Sequence, residues 1–503
     1  GYAVVDFNDV DPKFGTKDDL LEVIRFFHKH DIKIMIDFVL NHVAKEHLWA
    51  IKAQDGDHFY QNFFMMYDDD FIPSQFDLTV PLVIPERKKT NFTHLVNLNK
   101  YIYTSFSDYQ WDLNYKNPYV LIEMLKQLHQ FSIWGIDMIR LDAIPFIWKT
   151  LGTTCRNLPE VHVLMRIFRA FRDLTCPHLA LLGEAIVEPH EIVKYFGTDD
   201  APECDFMYNA NLMVNLWNTV ATQDARLLNI DANRFELPKH GAWLNYIRCH
   251  DDIGWGFNED ALSRFGFDPF LHKQFLISFF NGSFKGSFSK GVDYQKNEKT
   301  KDARTNGMFA SLIGIEDSKN QQASMLLELS MKRMRMLNAI LFFYQGAPMI
   351  YAGDDIGMTN DRSYLKNELK KNDSRWIHRP FYDWKLYSEV IKNQVDTAQI
   401  FHDLKQFIHL RKLNVLLHPF VQQRAINTEH QEILLLEKKL NKKSLYGLFN
   451  VSSQVMIIDM NTLRHLHLVK IEADLIQNRM IDLEQETLTL APYEILFIPA
   501  KTA

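Results

Sequence analysis

Cysteine is scarce in this chain. There are four in 503 residues, Cys155, Cys176, Cys204 and Cys249, and no two form a CxxC pair. That spacing argues against zinc and thioredoxin-like motifs, and so low a count suits reduced thiols rather than a disulfide framework. No apolar run approaches the length of a membrane-spanning helix, so no membrane association is expected. No basic cluster stands out and the formal net charge is −7, so no nucleic-acid partner is expected. No glycine-rich loop follows an early strand, which argues against an open doubly wound nucleotide-binding sheet. There is no P-loop and no Ser-His pairing in a nucleophile-elbow context. A signal peptide is also lacking, although the chain begins GYAVVDF without a methionine. Free thiols and the missing export signal point to the cytoplasm.

What is present is ordinary globular material, 47% hydrophobic and 24% charged. The length predicts one large domain with smaller attachments. Aromatics make up 13% of residues; they can fill a core or offer flat platforms to sugar rings. One pattern recurs: a short apolar run ends in polar residues, and an amphipathic helical segment lies between such runs. The runs are IKIMIDFVLNH (32–42), GIDMIRLDA (135–143), LALLGEA (179–185), CDFMYNA (204–210), WLNYIRCHDD ending at Asp252, and APMIYAGDD ending at Asp355. Thr16 and Asp19 form a candidate capping box for a helix with Leu20, Val23, Ile24 and Phe27 on one face. A second helix places Leu121, Met124, Leu125 and Leu128 together.

Strands with few polar residues suit a parallel sheet covered on both sides, joined by right-handed helical crossovers. The expectation is an α/β fold, a (β/α)8 TIM barrel over residues 1–417 whose first strand lies upstream of Gly1, with GYAVVDF a remnant of another strand. Two connections are too long for simple loops, so inserted subdomains are expected at 43–116 and 255–325. From 418 to 503 short alternating runs (LLLEKKL, SLYGLFN, QVMIIDM, HLHLVKI, EILFIPA) predict an antiparallel β-sandwich.

In barrels of this kind catalytic groups sit at the C-terminal ends of strands. Here those ends carry Asn41 and His42; Arg140 and Asp142; Glu184; His250, Asp251 and Asp252; and Asp354 and Asp355. Any one of them could be a helix cap, a core histidine or an ion-pair partner; the convergence at several ends is what points to a site. Arg140 and Asp142, two residues apart on a strand, face the same way. A fixed guanidinium keeps the carboxylate ionised and disfavours a dication beside it, so no metal is expected. Glu184 follows Leu181, Leu182 and Gly183, a less polar setting that predicts a raised pKa and a general acid. One ionised and one protonated carboxyl are what glycosidic bond cleavage needs. Cys249 is read as a structural thiol.

At these residues the chain resembles the α-amylase superfamily (glycoside hydrolase family 13). DFVLNH, GIDMIRLDA, GEA and RCHDD match its four short catalytic regions in order. Within it, RLDAIPFIWK, NYIRCHDDIGW and NDSRWIHRP are similar to the amylosucrases, along nearly the whole chain. The resemblance implies catalytic roles for Asp142 as nucleophile, Glu184 as general acid/base and Asp251 as third carboxylate. It implies that His42 and His250 bind glucosyl hydroxyls, that Arg140 holds Asp142, and that Tyr2 and Phe106 wall the sugar. Asp252 would line the fructose or acceptor side, Arg375 would close the pocket, and Gln295 and Arg304 would meet the acceptor chain. In that family the arginine of DSRW pairs with an aspartate just before GYAV, which lies outside this sequence.

The implied activity is double-displacement glucosyl transfer from sucrose to an α-1,4-glucan with release of fructose, in a monomer or homodimer, with no cofactor. Rival readings are a sucrose hydrolase or α-glucosidase with the same triad, and a non-catalytic amylase-like binding subunit, which would have lost triad carboxylates.

Overall fold

The structure, a computed structural model, describes residues 2–85, 88–185, 187–464, 468–482 and 484–502. The chain divides into two compact units, residues 1–208 with 237–241, and residues 209–236 with 242–503. Among the described residues no helix is long and apolar enough to cross a membrane.

The first unit is built on four parallel strands, Met35–Val39, Met138–Asp142, Ala180–Gly183 and Phe206–Tyr208, each bonded to the next in that order. The register sets Asp37 opposite Arg140, Val39 opposite Asp142 and Leu141 opposite Gly183. The polar strand ends therefore come level at one edge. The helix Pro118–Ile133 begins where Asn117 caps it and Pro118 supplies a preset φ. It buries Val120, Met124, Leu128 and Phe131, each a gain of about 1.5–3 kcal/mol. The helix Pro159–Thr175 buries Val161, Leu164, Met165 and Phe168 in the same way.

The helix Lys17–His28 opens on the expected Thr16–Asp19 capping box. Its expected apolar face is only partly used: Ile24 is buried, but Val23 is 46% exposed. Periodicity marks a face, whereas burial needs a partner, and Ile24 finds one where the chain turns at Gly135. GYAVVDF is not a strand over its described residues 2–7; the Val4 carbonyl accepts one bond from the Ala44 N–H (2.9 Å) instead of a ladder. Within 43–116 lie the antiparallel strands Met66–Tyr67, Phe92–Leu95 and Lys100–Tyr103. They share a small core of Met65, Phe76, Val80, Phe92 and Tyr103, joined by Cys155.

In the second unit Ala242–Tyr246 pairs in parallel with Ala347–Met349, beside the long buried helices Ala210–Thr222 and Ser324–Phe343. Residues 255–325 hold the helix Pro269–Phe280 and a hairpin of Val292–Tyr294 with Arg304–Asn306. Near the C-terminus Gln423–Ile426, Ile433–Leu440, Lys443–Asn450, Ile495–Thr502 and Leu468–Ile471 form one antiparallel sheet. A second pair, Met456–Asp459 with Thr487–Leu490, contributes Ile458, Leu488 and Leu490 to a common core with Leu435, Leu448 and Leu496. Of the expected HLHLVKI strand, residues 465–467 lie outside the described residues.

Gly183 ends a strand where no side chain fits. A Cβ there would meet Met207 Sδ at 2.6 Å, Cys204 Sγ at 2.9 Å and Ile144 Cδ1 at 3.0 Å. Gly183→Ala is expected to cost about 1–3 kcal/mol by overpacking, read as a lowered midpoint in chemical denaturation.

Candidate active site

In the first unit the strand ends meet at Arg140, which is 4% exposed. Its Nη1 lies 2.6 Å from Asp37 Oδ1 and 2.8 Å from Asp142 Oδ1, and its Nη2 lies 2.7 Å from Glu184 Oε1. The rings of Tyr2 and Tyr208 flank the guanidinium at 5.4 and 5.6 Å. Burial works against its charge, but Glu184, Tyr2, Asp37 and Asp142 more than offset it and raise its pKa.

The apolar setting expected for Glu184 is not what surrounds it. Besides its pair with Arg140, its Oε2 accepts the N–H of Ala143 at 3.0 Å. The reason is local: Leu181 and Leu182 belong to the strand interior, and the carboxyl lies beyond them. The Ala143 amide reaches it because Ala143 is left-handed, φ +52°, a conformation a side-chain-bearing residue seldom adopts. The chain thus turns sharply straight after Asp142. Asp37, from the neighbouring strand, was not singled out by sequence; its register opposite Arg140 is the signal that finds it.

Tyr2 joins this cluster to a second one. Its carbonyl accepts from His42 Nε2 (2.7 Å) and Gln110 Nε2 (3.0 Å). His42 is 2% exposed; burial, against Asp112 and Asp142, pushes its pKa down and keeps the ring neutral. Asn41 Nδ2 lies 3.2 Å from His42 Nδ1 and donates to Asp112 Oδ2 at 2.9 Å. Lys149 Nζ reaches Asn41 Oδ1 and Asp112 Oδ2, both at 2.6 Å. Ser105 adds its N–H and hydroxyl to Asp112 at 2.8 and 2.6 Å. Phe106 packs on His42 and on Phe146, with centroids 5.3 Å apart in each case. Sequence reasoning missed Lys149 and Asp112, which lie outside the strand-end pattern.

In the second unit the Asp251 carboxyl has two different sides. Oδ2 lies 3.2 Å from His250 Nε2, while Oδ1 lies 3.3 Å from Arg379 Nη2 and 3.8 Å from Arg375 Nη1. Arg375 is held in a two-point pair by Asp373, the second residue of NDSRW, at 3.0 and 2.8 Å. Asp252 pairs with Arg304 at 3.1 Å; burial raises its pKa, Asp251 adds to the rise and Arg304 opposes it. The hairpin carrying Arg304 is pinned to this segment by reciprocal backbone bonds between Ile253 and Thr305, 2.9 and 3.0 Å. Gln295 follows Tyr294 in a left-handed conformation, φ +50°. Asp354 is a core group: it pairs with buried Arg248 at 3.3 Å, and burial raises its pKa to about 6. Asp355 accepts from Tyr382 Oη at 2.8 Å.

Residues 1–251 match the model of the alpha-amylase catalytic domain. Glucosylglycerate phosphorylase of Escherichia coli is 25% identical over 507 residues, covering 99% of this chain and 83% of that protein. Trehalose synthase/amylase TreS of Mycolicibacterium smegmatis is 28% identical over 363 residues, covering 71% of this chain and 54% of that one. Among solved structures, sucrose 6F-phosphate phosphorylase from Thermoanaerobacter thermosaccharolyticum superposes with a TM-score of 0.70 at 19% identity, over 90% of this chain and 85% of that chain. The alpha-amylase from H. orenii gives 0.66 at 15% identity, over 100% and 87%. These likenesses establish the fold.

Burial alone would raise the Asp112 carboxyl, but Lys149, His42 and Ser105 carry it below the ordinary carboxylate range. Lys149→Met leaves that carboxylate buried without its cation, an expected cost of about 3–5 kcal/mol in urea unfolding. Because the folded pKa lies below the unfolded value of about 4, the pair stabilises the fold above pH ~4 and the gain is lost as pH falls through the folded pKa. Lys149→Met should flatten that acid limb of the stability profile.

Proposed function

Residues 1–251 belong to the alpha-amylase family of catalytic domains, and on that footing we propose that the chain is a retaining glucosyltransferase acting on small α-glucosides. Asp142 is the nucleophile and Glu184 the general acid/base. The observation that carries this reading is the shared guanidinium: short bonds from Arg140 to both carboxyls keep them well within a nanometre of each other. Retaining enzymes hold such a pair about 5–5.5 Å apart. Asp37 is half exposed, and the acid/base role is given to Glu184.

Asp142 attacks the anomeric carbon while Glu184 protonates the departing oxygen, giving a β-linked glucosyl-enzyme. Glu184, now a carboxylate, deprotonates the incoming acceptor, which attacks the same carbon and restores the α configuration. Asp251, held by Arg379 and Arg375, acts as the third carboxylate on the sugar hydroxyls. Within the first unit, Tyr2, His42 and Phe106 are assigned to glucosyl contacts; within the second, His250 is assigned to sugar hydroxyls and Asp252, Gln295, Arg304 and Arg375 to the leaving group and acceptor. The HDDIGW and DSRW stretches favour sucrose as donor and an α-1,4-glucan as acceptor. Phosphorolysis is the second reading, favoured by likeness to a glucosylglycerate phosphorylase along 99% of this chain.

The test is incubation with sucrose and with glucosylglycerate, each with and without inorganic phosphate. Insoluble α-glucan with released fructose supports glucan synthesis. Glucose 1-phosphate formed only with phosphate supports phosphorolysis, and equimolar glucose and fructose alone supports hydrolysis. No consumption of any α-glucoside sinks the proposal. Asp142→Asn and Glu184→Gln should each lower turnover by about 10²–10⁴ or more; a smaller loss at Asp142 would favour a non-catalytic subunit.

A further inference from the structure

We propose that Cys249, His250 and Asp251 form a binding site for a thiophilic divalent cation such as Zn²⁺, Cd²⁺ or Co²⁺, and that its occupation blocks Asp251. Among the described residues this is the one group of His, Cys and acidic side chains whose donor atoms all lie within 4.8 Å of one another. The donors are chemically distinct: a thiol, an imidazole and a carboxylate. Soft and borderline ions favour such a mixture, whereas Ca²⁺ and Mg²⁺ require oxygen ligands.

The geometry is close to what a tetrahedral ion needs. Bonds of about 2.0–2.2 Å to nitrogen and oxygen place those two donors roughly 3.3 Å apart; His250 Nε2 and Asp251 Oδ2 stand 3.2 Å apart. The sulfur is tied to the same turn, because the Asp251 N–H donates to Cys249 Sγ at 3.4 Å. The sulfur lies within 4.8 Å of both other donors. The backbone beneath is fixed: the His250 carbonyl accepts from Arg379 Nε at 2.6 Å and from His378 Nε2 at 3.0 Å. The two arginines lie on the Oδ1 side of Asp251, leaving Oδ2 turned towards imidazole and sulfur. Their positive charge opposes a cation, and the thiolate and carboxylate offset it.

All three residues are partly exposed, whereas Cys155, Cys176 and Cys204 are buried at 2%, 1% and 0%. On binding, the Cys249 thiol gives its proton to solvent and the thiolate forms the metal bond, with no change of oxidation state. A fourth position stays open for water.

The test is a titration of the full chain with Co²⁺, followed by near-ultraviolet absorption. The expected result is a thiolate-to-cobalt charge-transfer band saturating at one ion per chain. Cys249→Ser and Cys249→Ala should lose the band and bind at least about tenfold more weakly, with circular dichroism confirming the fold. Asp251→Asn should keep the band at weakened affinity. Zn²⁺ should inhibit the wild type, with recovery on chelation, and leave Cys249→Ser active and uninhibited. Absence of the band, or its survival unchanged in Cys249→Ser, overturns the site. The inhibition arm rests on the catalytic reading of Asp251; the spectroscopic arm does not, so the two ideas fail separately.

Discussion

One guanidinium sets the conditions for everything at the strand ends of the first unit. Arg140 donates to three carboxylates: Asp142 two residues along its own strand, Asp37 on the strand to one side, and Glu184 just past the strand on the other. Without that cation, Asp37, Asp142 and Glu184 would be like charges crowded at one edge, and the parallel register that brings them level would raise the energy of the fold rather than lower it. With it, the same crowding becomes chemistry. The three carboxylates stay close together because the cation bonds all of them.

The rest of the first unit serves that arrangement at increasing distance. Gly183 lets two strands and a following turn come close. The left-handed Ala143 bends the chain so that a backbone amide, as well as Arg140, fixes Glu184. Behind His42, the pair of Lys149 and Asp112 is dry and fully bonded. Replacing both partners of such a pair by apolar groups can be near neutral, whereas breaking it is costly; here it orders Asn41 beside the neutral imidazole.

Much of this was legible in the sequence, for identifiable reasons. All six parallel strands announced themselves as apolar runs ending in polar residues, because a parallel strand is buried along its length and chemistry is confined to its end. Thr16 and Asp19 were legible because capping is a local interaction. What depends on long-range pairing was not. Val23 shares the periodicity of Ile24 and is nevertheless exposed. GYAVVDF has the composition of a strand but finds only one backbone partner over its described residues. Lys149 and Asp112 are 37 residues apart and their pairing leaves no local pattern; Glu184 was misjudged because its chain neighbours are apolar while its spatial neighbours are charged.

The reciprocal bonds between Ile253 and Thr305 clip the 292–306 hairpin to the backbone just past Asp252. The tip has a mooring of its own: the Lys301 carbonyl accepts from Gln274 Nε2 at 3.0 Å and Asp302 pairs with Lys273 Nζ at 3.1 Å. Fastened at both places, the hairpin keeps Arg304 against Asp252, so a longer graft at the tip has to preserve both fastenings to leave that pair in register.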